Sequence, residues 1–208
     1  VFANSVIGAR TERYPDLMDI CAAITGRVPA VGLHLTGNRK GQVLMQLEGI
    51  PRELQEADEF YPVLGHLMGK VARDRIPVIA GLEAQPREDQ FKAMGAASSA
   101  SGTVALFHAV GHTPEAETMD AAFQGHEPQQ TESVTMDSLR DVRRELTTAT
   151  GKALNMVVLG SPHFSLAEFK QLSPLVAGKR ANPNVKFLVT SSRAMVELAR
   201  AAGHLGPL

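Results

Sequence analysis

"LNMVVLGSPHFSLAEFKQLSPLVAG" (154–178) and "VKFLVTSSRAMVELARAAG" (185–203) decide the fold. "LNMVVLG" (154–160) is a short apolar run ended by glycine, the pattern of a buried strand. "SLAEFKQLSPLVAG" (165–178) is a helix whose start carries a capping box, Ser165 with Glu168. "VKFLVTS" (185–191) reads as a second strand. "SRAMVELARAAG" (192–203) reads as a second helix, closed by Gly203 and capped by Ser191 or Ser192. Two strands about 30 residues apart with a helix between them predict a parallel pair joined by a right-handed crossover. The expected class is therefore α/β.

Upstream, "TMDSLRDVRRELTTATG" (135–151) predicts a helix from a Thr135 cap to Gly151. "GHEPQQTES" (125–133) is the most polar stretch and the expected boundary, giving domains 1–130 and 131–208. "TPEAETMDAAF" (113–123) predicts a helix capped by Thr113, with Pro114 first and Glu115 and Glu117 in the dipole-favoured first turn. "GTVALFHAVG" (102–111) and "IPVIAGL" (76–82) predict buried strands, and "REDQFKAMGAAS" (87–98) a helix closing near Gly95. Glu53 to Arg73 is helical in spacing, with Pro62 starting a new helix. "VGLHLT" (31–36) alternates like a strand running into the turn "GNRKG" (37–41). "VLMQLEGI" (43–50) is a second strand or the return of a hairpin. "DLMDICAAIT" (16–25) has helical apolar spacing and stops at Gly26.

Composition narrows the function. The 208 residues are 44% apolar and 21% charged, with net charge −1, so no basic surplus awaits a nucleic-acid backbone. No apolar run approaches the length of a membrane span. The one cysteine, Cys21, forms no internal disulfide, which fits a reducing cytoplasm. Neither does it build a metal site without further ligands.

Chemistry concentrates in a few loops. "NSVIGART" (4–11) places Asn4, Ser5 and Arg10 around Gly8. Arg10 offers a planar fork that fits a carboxylate, and a plain surface turn is the alternative. "GSPHFS" (160–165) lies at a strand's carboxyl end, where α/β proteins bind ligands. There Gly160 admits another backbone, Pro162 stiffens the turn, and Ser161 and His163 stand near a helix N-terminus. "TSSR" (190–193) would lie beside it. His34 sits in "GLHLT" with Asn38 and Arg39 close behind, and His108 in an apolar run reads as a core residue. His34, His108, His112 and His163 have no zinc-site spacing. Cys21 reads as a buried thiol or as a thiolate near a cluster. No P-loop, GxSxG or strand-linked GxGxxG pattern occurs.

"NSVIGARTERYPDLMDICAAITGRVPAVGLHL" (4–35), "TVALFHAVGHTPEA" (103–116) and "VVLGSPHFSLAE" (157–168) resemble, in the same order, signatures of the aconitase X family. "RYPDLMDICAAITGR" is closer to the bacterial hydroxyproline type than to the archaeal phosphomevalonate type. The resemblance implies three-layer aconitase-like domains with a partly parallel sheet. It implies a hydro-lyase that dehydrates a small β-hydroxy acid, with an iron–sulfur cluster as Lewis acid. The expected substrate is cis-3-hydroxy-L-proline, with mevalonate 5-phosphate, an isomerase reaction, or a non-catalytic small-anion-binding role as alternatives. By matching position, Asn4, Ser5, Arg10, Ser161 and His163 become substrate contacts and Cys21 a candidate cluster residue. Many members write Gly-Cys-Pro-His where this chain has Ser161. The implied partner is a small swivelling subunit or domain. The chain would be an internal part of such an enzyme, its cluster incomplete and its turnover absent when alone.

Overall fold

The structure is a computed structural model that describes residues 1–161 and 163–208. The expected role of Pro162 therefore lies outside the described residues. The chain forms two compact units, Val1–Thr147 and Thr148–Leu208.

The first unit begins with α1 (Phe2–Ser5) and α2 (Met18–Thr25), then two 3-10 turns at Gly32–His34 and Thr36–Arg39. It continues through β1 (Val43–Leu47), α3 (Arg52–Gln55), α4 (Phe60–Ala72), β2 (Pro77–Ala80), α5 (Glu88–Ser101) and β3 (His108–Ala109). It ends with α6 (Met119–Phe123), β4 (Gln130–Val134) and α7 (Met136–Leu146). The four strands form one parallel sheet in the order β3-β2-β1-β4. Side-chain alternation along the strands makes three layers. Val43, Met45, Leu47 and Ile79 face α4, α5 and α7 through Tyr61, Leu64, Met68, Phe91, Met94 and Leu139. Leu44 and Val78 face the other side, against Ala116, Ala122 and Phe123.

Helices α4 and α5 cross closely. A Cβ built on Gly65 would run into the backbone carbonyl of Met94. Only glycine lets the two backbones meet there, because any side chain would have to occupy space already filled.

Several sequence expectations are corrected. "VLMQLEGI" is a parallel strand, not a hairpin return. "VGLHLT" is no strand: its alternation belongs to 3-10 turns, and the Leu33 carbonyl within it accepts from Arg39 Nη1. α5 runs past Gly95 to Ser101. Of "GTVALFHAVG" only His108–Ala109 joins the sheet. Residues 105–107 instead bond the side chains of Asn4 and Ser5. The helix after Pro114 starts late, capped by Thr118, while the Thr113 hydroxyl accepts from the amide of Ala109. The boundary expected near residue 130 falls inside the sheet, because Gln130–Val134 pairs along the whole of β1. α7 keeps its Thr135 cap but stops at Leu146.

The second unit contains β5 (Met156–Leu159), α8 (Leu166–Val176), β6 (Lys186–Val189) and α9 (Arg193–Ala201). β5 and β6 pair in parallel, as the βαβα reading requires. Ser165 and Glu168 form the expected capping box, and Ser192 caps α9. Phe164 and Phe169 meet edge to face at 5.0 Å, packed with Leu159, Val189 and Met195. The strands were expected to be buried. Met156, Val158 and Leu188 are exposed instead, because a two-stranded sheet has helices on only one face here.

Candidate functional site

The site grows from one buried charge. Arg39 follows the second 3-10 turn's Gly-Asn, and its side chain is fully buried. A guanidinium out of water needs every N–H satisfied. Nη1 donates to the Leu33 carbonyl at 2.9 Å, and Nη2 to the carbonyls of Asn4 (3.1 Å) and Ala9 (3.2 Å). Nε donates to both Glu115 oxygens at 2.8 Å, and Nη2 lies 2.5 Å from Glu115 Oε1. One side chain thus ties the N-terminal loop, the 3-10 turns and the 113–117 turn together.

Asn4 and Ser5 belong to the same framework. Asn4 Nδ2 donates to the carbonyls of Thr11 and Ala105, and Asn4 Oδ1 accepts from the Thr11 amide. Ser5 Oγ accepts from the Phe107 amide at 2.9 Å. Both side chains are buried, with their bonding groups engaged by the chain itself. These two side chains, expected as substrate contacts, bond the backbone of residues 105–107 and of Thr11 in this structure.

Arg10 is different. It is exposed, and Nη1 donates to the His34 carbonyl at 2.8 Å, which orients the guanidinium and leaves its other N–H groups unbonded among the described residues. It lines a cavity of about 340 Å³ together with Gly8, Thr36, His108, Glu115 and Gln124. Gln124 Nε2 donates to the Thr36 carbonyl at 2.7 Å and fixes one rim. His108 is buried, with Nε2 2.7 Å from the carbonyl of Arg39. Burial holds its pKa below the usual histidine value, and the neighbouring Glu115 charge opposes that shift. A cavity that presents an oriented guanidinium, a neutral imidazole and a neutralised carboxylate can bind a small carboxylic acid and accept a proton from it.

The remaining expected residues are described each within its own unit. Cys21 is exposed on α2, a helix with no buried residue, so the apolar spacing there does not mark a core face. Ser161 and His163 are exposed in the second unit. Loop 160–165 does lie beside 190–192: the Phe164 amide donates to the Thr190 carbonyl, and Ser191 Oγ donates to the Phe164 carbonyl. A Cβ on Gly160 would collide with that Thr190 carbonyl, which is the close approach expected of it. Among the described residues, no three His, Cys, Asp or Glu side chains converge as metal ligands. No helix of the described residues is long and apolar enough to cross a membrane.

Sequence reasoning missed Arg39, Glu115 and the cavity side of His108. Arg39 looks like any charged residue in a Gly-Asn turn. Glu115 looks like a first-turn helix acid. Only His108 gave a signal, as one polar residue inside an apolar run.

Comparison with known proteins agrees along the whole chain. Residues 41–144 match the aconitase X second domain, residues 1–37 the first domain and residues 154–208 the third. The chain is 47% identical to a cis-3-hydroxy-L-proline dehydratase of Pseudomonas aeruginosa, over 100% of this chain and 36% of that protein. It is 40% identical to a dehydratase of the same name from Hypocrea jecorina, again over 100% of this chain and 35% of the other. It is 33% identical to the phosphomevalonate dehydratase large subunit of Thermococcus kodakarensis, over 98% of this chain and 50% of the other. The crystal structure of Thermococcus kodakaraensis aconitase X in its holo-form superposes with a TM-score of 0.82 at 33% identity, covering 99% of this chain and 50% of that one. The chain thus spans about a third to a half of the length of these relatives. With three aconitase X segments following one another in order and a matching solved fold, the chain belongs to the aconitase X family.

Proposed function

We propose that this chain is the substrate-anchoring part of a hydro-lyase that removes water from a small β-hydroxy acid, cis-3-hydroxy-L-proline. The observation that carries this reading is the 47% identity across the whole chain with a dehydratase of that name, against 33% with a phosphomevalonate dehydratase large subunit. Arg10 holds the substrate carboxylate. Its guanidinium is already aimed by the His34 carbonyl, so little side-chain freedom is lost when the acid binds. The Arg39–Glu115 pair keeps the loop carrying Arg10 in place. Ser161 and His163, in the second unit, remain the further substrate contacts that the resemblance implies.

The family resemblance implies an iron–sulfur cluster in the complete enzyme. The residues of this chain do not fit one: Cys21 is the sole cysteine, and no ligand trio converges among the described residues. Cluster ligands would come from other parts of the complete protein. The relatives' name "large subunit" suits a small swivelling subunit or domain that closes the site. A single unpaired cysteine suits a reducing, cytoplasmic setting.

The test is turnover by the complete enzyme with its small partner, purified without oxygen. Loss of cis-3-hydroxy-L-proline supports the reading. Conversion of mevalonate 5-phosphate instead would keep the hydro-lyase and reject the substrate. A protein that binds small carboxylates and converts neither would be the non-catalytic alternative.

A further inference from the structure

We propose that Gln124 and Glu115 form an ammonium subsite in the cavity that Arg10 lines, and that they select an amino acid over hydroxy acids that carry no nitrogen. This rests on Arg10 as the carboxylate anchor of the dehydratase reading above.

Cis-3-hydroxy-L-proline is a zwitterion. Its ring nitrogen is a secondary ammonium with two N–H groups, and it sits on the carbon that bears the carboxylate. A site that holds the carboxylate on Arg10 meets the ammonium close by, and the two N–H groups need two acceptors once water is excluded. The cavity of about 340 Å³ stands at the small end of ligand pockets, which suits a five-membered ring with its substituents. Arg10, Glu115 and Gln124 all line it.

Gln124 supplies the first acceptor. A backbone carbonyl only accepts, so the 2.7 Å contact with the Thr36 carbonyl fixes which end of the amide is Nε2 and leaves Oε1 as the other. Oε1 makes no hydrogen bond among the described residues. The buried side-chain polar atoms without a partner among those residues are Tyr14 Oη, His34 Nε2 and His66 Nε2, so the unbonded Oε1 is open to solvent. The backbone gives a second sign. Gln124 stands at φ 51° and ψ 44°, in the left-handed region that glycine enters without strain. A glutamine there bears a strain that glycine would avoid, and its amide is the group that closes the rim against Thr36.

Glu115 supplies the second acceptor. Arg39 meets it with two contacts to Oε1 and one to Oε2, while 27% of the side chain stays exposed. A carboxylate has about four lone-pair positions, so Oε2 can still accept. Arg39 neutralises the carboxylate, so the subsite recognises N–H donors by hydrogen bonding rather than by bare charge. A ligand that presents an ether oxygen or a phosphate there meets two acceptors with acceptors of its own.

The test is calorimetry on the complete enzyme with two probes, L-proline and (S)-tetrahydrofuran-2-carboxylate. The second has the same ring and carboxylate, with an oxygen in place of the N–H groups. The parent should bind L-proline at least about 10-fold more tightly than the oxygen analogue. In Gln124→Leu, affinity for L-proline should fall about 10-fold, and that for the analogue should stay within about threefold of the parent. A merely structural role would lower both alike. That result overturns the proposal, as does an unchanged affinity for L-proline. If Gln124→Leu does not fold, the parent decides: a preference of about 10-fold for L-proline supports the subsite, and equal binding of the two probes, or binding of neither, overturns it. Binding is read here without turnover. A parent that discriminates the probes but does not convert cis-3-hydroxy-L-proline therefore rejects the dehydratase reading and keeps the subsite.

Discussion

Arg39 Nη2 lies 2.5 Å from Glu115 Oε1, with the arginine fully buried and the glutamate side chain 27% exposed. The pair joins two segments 76 positions apart and carries no solvent on the arginine side. Removing one partner leaves a buried charge without its counter-ion, a loss of about 3–5 kcal/mol in comparable pairs. Glu115→Ala should therefore lower the unfolding free energy of the first unit by a few kcal/mol, as read from the urea midpoint. A change below about 0.5 kcal/mol, the usual size for surface positions, would show that the pair does not hold the site.

Gly65 makes a second stability prediction. Gly65→Ala adds a methyl group where the Met94 backbone already stands. Helix propensity alone would favour alanine by about 1 kcal/mol. Overpacking costs about 1–3 kcal/mol and opposes it, so net destabilisation is expected. A raised melting temperature would contradict the close crossing of α4 and α5.

The burial of His108 has a pH signature. Its folded pKa is lowered from 6.5, so below that value the unfolded chain binds the proton more readily. The stability contribution is whole above 6.5 and is lost as pH falls from there through the lowered folded value. The first unit should be easier to unfold at pH 5 than at pH 7.5, and His108→Gln should flatten that slope. An unchanged slope in the variant would mean that another group sets it.

The sequence revealed the elements whose signals are local. The capping residues Thr135, Ser165 and Ser192 appear where expected, and β5–α8–β6–α9 has the pairing that its spacing demands. Tertiary demands hid the rest. Residues 31–36 alternate like a strand, yet their backbone turns in 3-10 fashion and the Leu33 carbonyl accepts from Arg39. The polar stretch before Val134 reads as a linker because β4 is an edge strand, with exposed Thr131 and Ser133 alternating along it. In the cavity, Arg10 is the residue that its long motif had singled out, and the structure shows it lining that cavity. Arg39 was not singled out, since nothing local distinguishes a buried arginine from a solvated one.

The most direct measurement is kcat/KM for cis-3-hydroxy-L-proline in the complete enzyme and in Arg10→Ala, with the melting temperature and visible spectrum of each recorded alongside. A charged hydrogen-bonding pair is worth about 1.5–3 kcal/mol, so a fall of about 10- to 100-fold is expected, carried mainly by KM and partly restored in Arg10→Lys. Equal kcat/KM in the parent and in an intact Arg10→Ala enzyme would contradict the assignment of Arg10 as the carboxylate anchor.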